Sequence, residues 1–70
     1  MANRRICVYE NPETSEVASE HVTLGSAIMC HTPPKPGTEV ICNGYTLAKE
    51  RNGDWDITPD GHRWTEIIET

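Results

Sequence analysis

The chain has no phenylalanine and only four aromatic residues, Tyr9, Tyr45, Trp55 and Trp64. A core cannot be built around stacked rings. If those four side chains left the interior to hold a ligand, little large apolar bulk would remain inside a 70-residue domain. Positive charge is scarce as well. Six Lys and Arg stand against eleven Asp and Glu, for a net charge of −5. A phosphate-backbone binder needs concentrated cations, so this balance argues against nucleic acid and permits a partner with a basic surface. No apolar run is long enough for a signal peptide or a membrane span. No Asn-x-Ser/Thr acceptor exists, and Asn11 is followed by Pro12. The three cysteines are odd in number and lack framework spacing. They fit a reducing, cytoplasmic setting better than a secreted scaffold.

Chemical motifs are missing too. There is no nucleophile elbow, phosphate-cradling loop or paired-acid cleft. The candidate metal ligands are Cys7, Cys30, Cys42, His21, His31 and His62. They lack the Cys-x2–4-Cys pairing of a structural zinc site, and adjacent Cys30 and His31 are awkward chelators of one ion. No metal, cofactor or catalytic group is expected, and the chain reads as a non-enzymatic protein.

What is present is geometry. From Glu39 to Ile68 three turn signals, Asn43-Gly44, Asn52-Gly53 and Pro59-Asp60-Gly61, divide four short runs rich in Val, Ile, Thr, Tyr and Trp. That pattern predicts an antiparallel four-strand meander. Asn43-Gly44 suits a two-residue type I′ turn, because both central positions need φ > 0. Cys42 then faces Tyr45 and Val40 faces Leu47, with Glu39, Ile41, Thr46 and Ala48 on the other side.

The next turn has two solutions. A two-residue loop at Asn52-Gly53 pairs Lys49 with Asp56 and Arg51 with Asp54, but sends Trp55 and Ile57 away from Leu47. A three-residue loop, Arg51-Asn52-Gly53, pairs Leu47 with Ile57 and Lys49 with Trp55. It gathers Val40, Cys42, Tyr45, Leu47, Trp55 and Ile57 on one side. An exposed ion pair contributes roughly 0.2–1 kcal/mol and burial of a large apolar side chain roughly 1.5–3. The three-residue loop with its bulge is therefore expected, with Glu50 left facing Asp54. The last turn, as Thr58–Gly61 or as Asp60-Gly61, brings Trp64 to the apolar side. The four-residue version sets Asp56 opposite Arg63.

Upstream, Ile6-Cys7-Val8-Tyr9 reads as a first strand. Residues 12–22 read either as a helix capped by Asn11 with Pro12 at its first position, or as a loop from Glu10 to Glu16 closing a hairpin through Val17 and Val22. The hairpin is favoured. Leu24 to Cys30 is a short strand or one to two helical turns. Residues 32–37, with three prolines in four positions, form a stiff connector. The expected fold is mainly β: one small domain, a rolled antiparallel sheet or SH3-like barrel of five to six short strands, or an OB-like barrel if 24–30 is helical. The Pro36-Gly37-x-x-Val40 pattern resembles the entry to SH3-like barrels.

The leading functional expectation is a small acidic protein-binding module. Its contact residues are Glu39, Glu50, Asp54, Asp56, Asp60 and Glu66, with Glu10 to Glu20 extending the acidic surface. One concrete form is an inhibitor, of the kind mobile elements encode, that presents carboxylates to a basic nucleic-acid-binding protein. The competing expectation is a nucleic-acid-binding barrel using Arg4, Arg5, Lys49, Arg51, Arg63 and exposed Trp55 or Trp64. A third is an assembly protein, and a homodimer would relieve the thin core.

Overall fold

The computed structural model describes residues 5–63. Trp64, Glu66 and the fourth run of the expected meander lie outside the described residues. Strand β1 (Ile6–Tyr9) is followed by a 3-10 turn (Pro12–Thr14), strand β2 (Ser19–His21) and helix α1 (Leu24–Cys30). Strands β3 (Glu39–Cys42), β4 (Tyr45–Arg51) and β5 (Asp54–Ile57) complete the sheet, and a second 3-10 turn spans Gly61–Arg63. The described strands form one antiparallel sheet in the order β2-β1-β3-β4-β5.

The upstream half is a hairpin, as favoured. Asn11 still caps its short 3-10 turn, accepting from the Glu13 N–H at 3.2 Å with Pro12 in the first turn. That turn ends after three residues at Ser15, whose φ of 61° is left-handed and whose N–H donates to the Pro12 carbonyl. Val17 and Val22 flank β2 and are exposed rather than forming it. Residues 24–30 are helical. Thr23 caps α1 by accepting from the Ser26 N–H at 3.1 Å, while Leu24 and Ala27, three apart, turn into the core. The connector includes a cis peptide at Thr32–Pro33 and buries Pro34.

The core lies on one side of the sheet. Ile6, Val8, Val40, Cys42, Leu47 and Ala48 meet Leu24 and Ala27 of α1, with Ile28, Trp55 and Ile57 packed against them. The Trp55 indole N–H donates to Thr32 Oγ1 at 3.1 Å, and that hydroxyl donates to the Ile28 carbonyl. Trp55 thus closes over the helix end as an interior-side residue.

Both Asn-Gly turns have φ > 0 at their two central residues, 56° and 81° at Asn43-Gly44, 57° and 81° at Asn52-Gly53. The second is therefore the two-residue loop, and the expected three-residue loop is incorrect. Lys49 pairs with Asp56, Glu50 with Trp55, Arg51 with Asp54 and Ala48 with Ile57. The extra residue that the apolar pattern demands sits earlier, inside β4. Ile41 faces Thr46 but Val40 faces Ala48, so Leu47 is the additional residue of a bulge. Leu47 and Ala48 are both fully buried. The parity of the strand flips there, and Trp55 and Ile57 join Val40 and Cys42 without giving up the charge pairs. Burial and ion pairing were not alternatives.

Thr58 holds the bulge. Its N–H donates to the Leu47 carbonyl at 3.1 Å, and its hydroxyl donates to the Thr46 and Leu47 carbonyls. The hydroxyl also accepts from the Gly61 N–H at 3.2 Å. Gly61 lies against the same carbonyl, in space a methyl group would need.

Candidate functional site

Alternation from the core residues fixes the other side of the sheet. It carries Arg5, Cys7, Tyr9, Glu20, Glu39, Ile41, Thr46, Lys49, Arg51, Asp54 and Asp56. Cys7 lies opposite Ile41 and Tyr9 opposite Glu39, so half-buried Cys7, Tyr9 and Ile41 form a central apolar row. Burial pushes the Cys7 thiol above its ordinary pKa, the Glu20 carboxylate adds to the shift, and Arg5 opposes it.

The structure separates the expected contact residues. Glu39, Asp54 and Asp56 share this helix-free side. Asp56 meets Arg51 at 3.8 Å, and Arg5 meets Glu20 at 3.1 Å. Asp54 Oδ1 accepts from the Trp55 N–H at 2.8 Å. Asp60 sits beyond β5 and pairs with Arg63 at 3.3 Å, so Arg63 does not reach Asp56 as the four-residue last turn supposed. Glu66 lies outside the described residues.

Glu50 is placed on the opposite side, with Ala48 and Trp55, because of the bulge. Its carboxylate bridges two backbone segments, accepting from the Gly37 N–H at 3.0 Å and the Gly53 N–H at 2.8 Å. Those bonds, Gly53 first, hold its pKa below the ordinary carboxylate value. Glu50 is a brace between the connector and the second hairpin.

A second constellation escaped the sequence reading. At the seam of β2 and α1, Ser19 Oγ lies 2.7 Å from His21 Nε2 and 2.7 Å from His31 Nε2. His21 Nδ1 faces Ser26 Oγ at 3.1 Å, and His31 Nδ1 faces Glu10 Oε2 at 3.7 Å. Lys35 Nζ meets the other Glu10 oxygen at 3.6 Å. The two imidazoles are edge to face, 6.2 Å between centroids. Ser19 and His21 share a side of β2 by alternation, and His31 caps the C-terminal end of α1.

Donors and acceptors give this cluster a direction. A carboxylate only accepts, so with Nδ1 of His31 turned toward Glu10 the tautomer that carries its proton on Nδ1 is the one whose Nε2 accepts from the Ser19 hydroxyl. In that arrangement the Ser19 oxygen is left to accept from His21 Nε2–H, and His21 Nδ1 from the Ser26 hydroxyl. A cavity of about 210 Å³, lined by Glu10, Asn11, Thr14, Glu16, Val17 and Ala18, shares Glu10 with the cluster. The visible hint was the Ser19-x-His21 alternation. His31, twelve residues from Ser19, could not be placed before α1 was known to lie on the core side.

Among the described residues no group of three or more His, Cys, Asp or Glu is arranged to hold a metal ion. Nor, among them, is any helix long and apolar enough to cross a membrane. Cys7, Cys30 and Cys42 are thiols, half-buried, exposed and buried respectively. No family model, curated protein or solved structure matches the chain.

Proposed function

We propose that the chain is a small protein-binding module that docks through the helix-free side of its sheet onto a partner with a basic surface. The observation that carries this reading is the composition of that side: a half-buried row of Cys7, Tyr9 and Ile41, bordered by Glu20, Glu39, Asp54 and Asp56. Apolar contact at the centre with charge at the rim is how protein interfaces are arranged. A chain of net charge −5 is drawn toward positive surfaces over long range, while register and specificity come from the local pattern.

Arg5 and Arg51 partly neutralise Glu20 and Asp56. The face therefore offers a mixed pattern rather than uninterrupted negative charge, which suits a protein surface better than imitation of a phosphate backbone. The nucleic-acid reading loses support for the same reason. Arg5, Arg51 and Arg63 each have a carboxylate beside them, and Trp55 is held by Thr32.

The test separates this face from bulk charge. Immobilised protein captures its partner from lysate, and the partner is identified by mass. Capture is repeated with D54K/D56K and with E13K/E16K, which reverses as many charges on the β1–β2 loop. The first variant should lose the partner and the second keep it. Loss by both, or retention by both, refutes docking through this side.

A further inference from the structure

We infer that Ser19 is a base-activated nucleophile, open to acylation by esters of neutral or cationic alcohols, with His31 as its base and Glu10 orienting that base. Three observations converge. The Ser19 hydroxyl lies 2.7 Å from His31 Nε2, the contact a proton transfer needs. The far nitrogen of His31 faces the Glu10 carboxylate at 3.7 Å, longer than a hydrogen bond but close enough for that charge to steady the imidazolium once formed. His21, its Nδ1 held by Ser26 at 3.1 Å, brings Nε2 to 2.7 Å from the same oxygen and fixes it in place. Nucleophile, base and orienting acid are the arrangement by which such sites are recognised, independent of fold or sequence order.

The hydrogen bonds also constrain the chemistry. Ser19 Oγ attacks the acyl carbon, and its proton passes to His31 Nε2 as the oxygen–carbon bond forms. The ester C–O bond then breaks, and the imidazolium returns the proton to the departing alkoxide. Alcohol leaves and acyl-Ser19 remains. Water attacks that ester in turn, giving its proton to His31, which passes it to Ser19 Oγ as the carboxylic acid departs. One ester and one water become one acid and one alcohol. Glu10 and Glu16 line the neighbouring cavity of about 210 Å³, which favours a neutral or cationic group there over a phosphate. Lys35, 3.6 Å from Glu10, shares that carboxylate and moderates its hold on His31. This site is on the core side of β2, away from the docking face, so the two readings fail separately.

An alkyl fluorophosphonate tests the inference. Attack by Ser19 forms an oxygen–phosphorus bond and expels fluoride, and the proton passes through His31. The native protein should gain one adduct by intact mass, mapped to Ser19, and urea-unfolded protein should gain none. S19A should take no label. H31Q, with an unchanged circular dichroism spectrum, should label at least about 100-fold more slowly, as expected for loss of a positioned base. E10Q should slow labelling while leaving the spectrum alone. Absence of an adduct on native protein, an adduct at another residue, or an undiminished rate in H31Q would overturn the assignment.

Discussion

Replacing Gly61 by alanine should cost this domain a large part of its stability. No positive φ is involved, and the effect is one of space alone. A methyl group there would meet the Leu47 carbonyl oxygen at impossible range and the Ile57 Cγ2 at 2.8 Å. The carbonyl cannot retreat freely, because the Thr58 N–H and hydroxyl both hold it at 3.1 Å. Relief requires either the bulge to shift or the Gly61–Arg63 turn to lift away. Overpacking a tight site costs typically 1–3 kcal/mol, and with backbone on the receiving side about 3 is expected. A domain of this size has a total stability on the order of 3.5–10 kcal/mol. At about 4–8 °C per kcal/mol, Tm should fall by about 12–24 °C. Gly25 is the control, since nothing lies within 4 Å of its added methyl group and it sits inside α1. G25A should gain about 0.5–1 kcal/mol from helix propensity. Thermal and urea unfolding followed by circular dichroism measure both. A G61A protein within about 0.5 kcal/mol of wild type would refute the packing of the second 3-10 turn on the bulge.

Two further outcomes follow from the electrostatics. The Glu50 carboxylate has a folded-state pKa below its unfolded value, so the bracket to Gly53 and Gly37 stabilises fully above the unfolded carboxylate pKa and is lost as pH falls through the folded one. E50Q should melt lower than wild type at neutral pH, and the two melting curves should converge on acidification below the carboxylate range; a constant gap would contradict the bracket. Thiol labelling of the native protein with a disulfide reagent near neutral pH should proceed at Cys30 first, then at Cys7, whose raised pKa withholds the reactive thiolate, and last at Cys42. Labelling of Cys7 ahead of Cys30 would contradict the burial assigned to the central row.

Much of the sheet was legible because a few residues leave the backbone little choice. Asn43-Gly44 and Asn52-Gly53 each admit φ > 0 at two consecutive positions, which selects a tight hairpin. Of the residues expected to share the apolar side, Val40, Cys42, Leu47, Trp55 and Ile57 do pack together, whereas Tyr45, next to the Asn43-Gly44 turn, is exposed and outside the core. What could not be read was where the odd residue goes. A turn advertises itself through Asn and Gly, whereas a bulge at Leu47 and Ala48 is two adjacent apolar residues held by a threonine ten or more positions downstream. That single displacement exchanged Glu50 for Lys49 and Arg51 on the open face. The Ser19 cluster was hidden for a related reason. Its members come from the end of β1, from β2 and from both ends of α1, and only the placement of that helix on the core side assembles them.

The register of β4 against β5 decides which charges the docking face presents, and cross-strand nuclear Overhauser contacts measure it directly. Contacts joining Glu50 to Trp55 and Ala48 to Ile57 are predicted, with Val40 opposite Ala48. Contacts joining Leu47 to Ile57 and Lys49 to Trp55 would instead put Glu50 among the outer carboxylates and contradict the mixed-charge face.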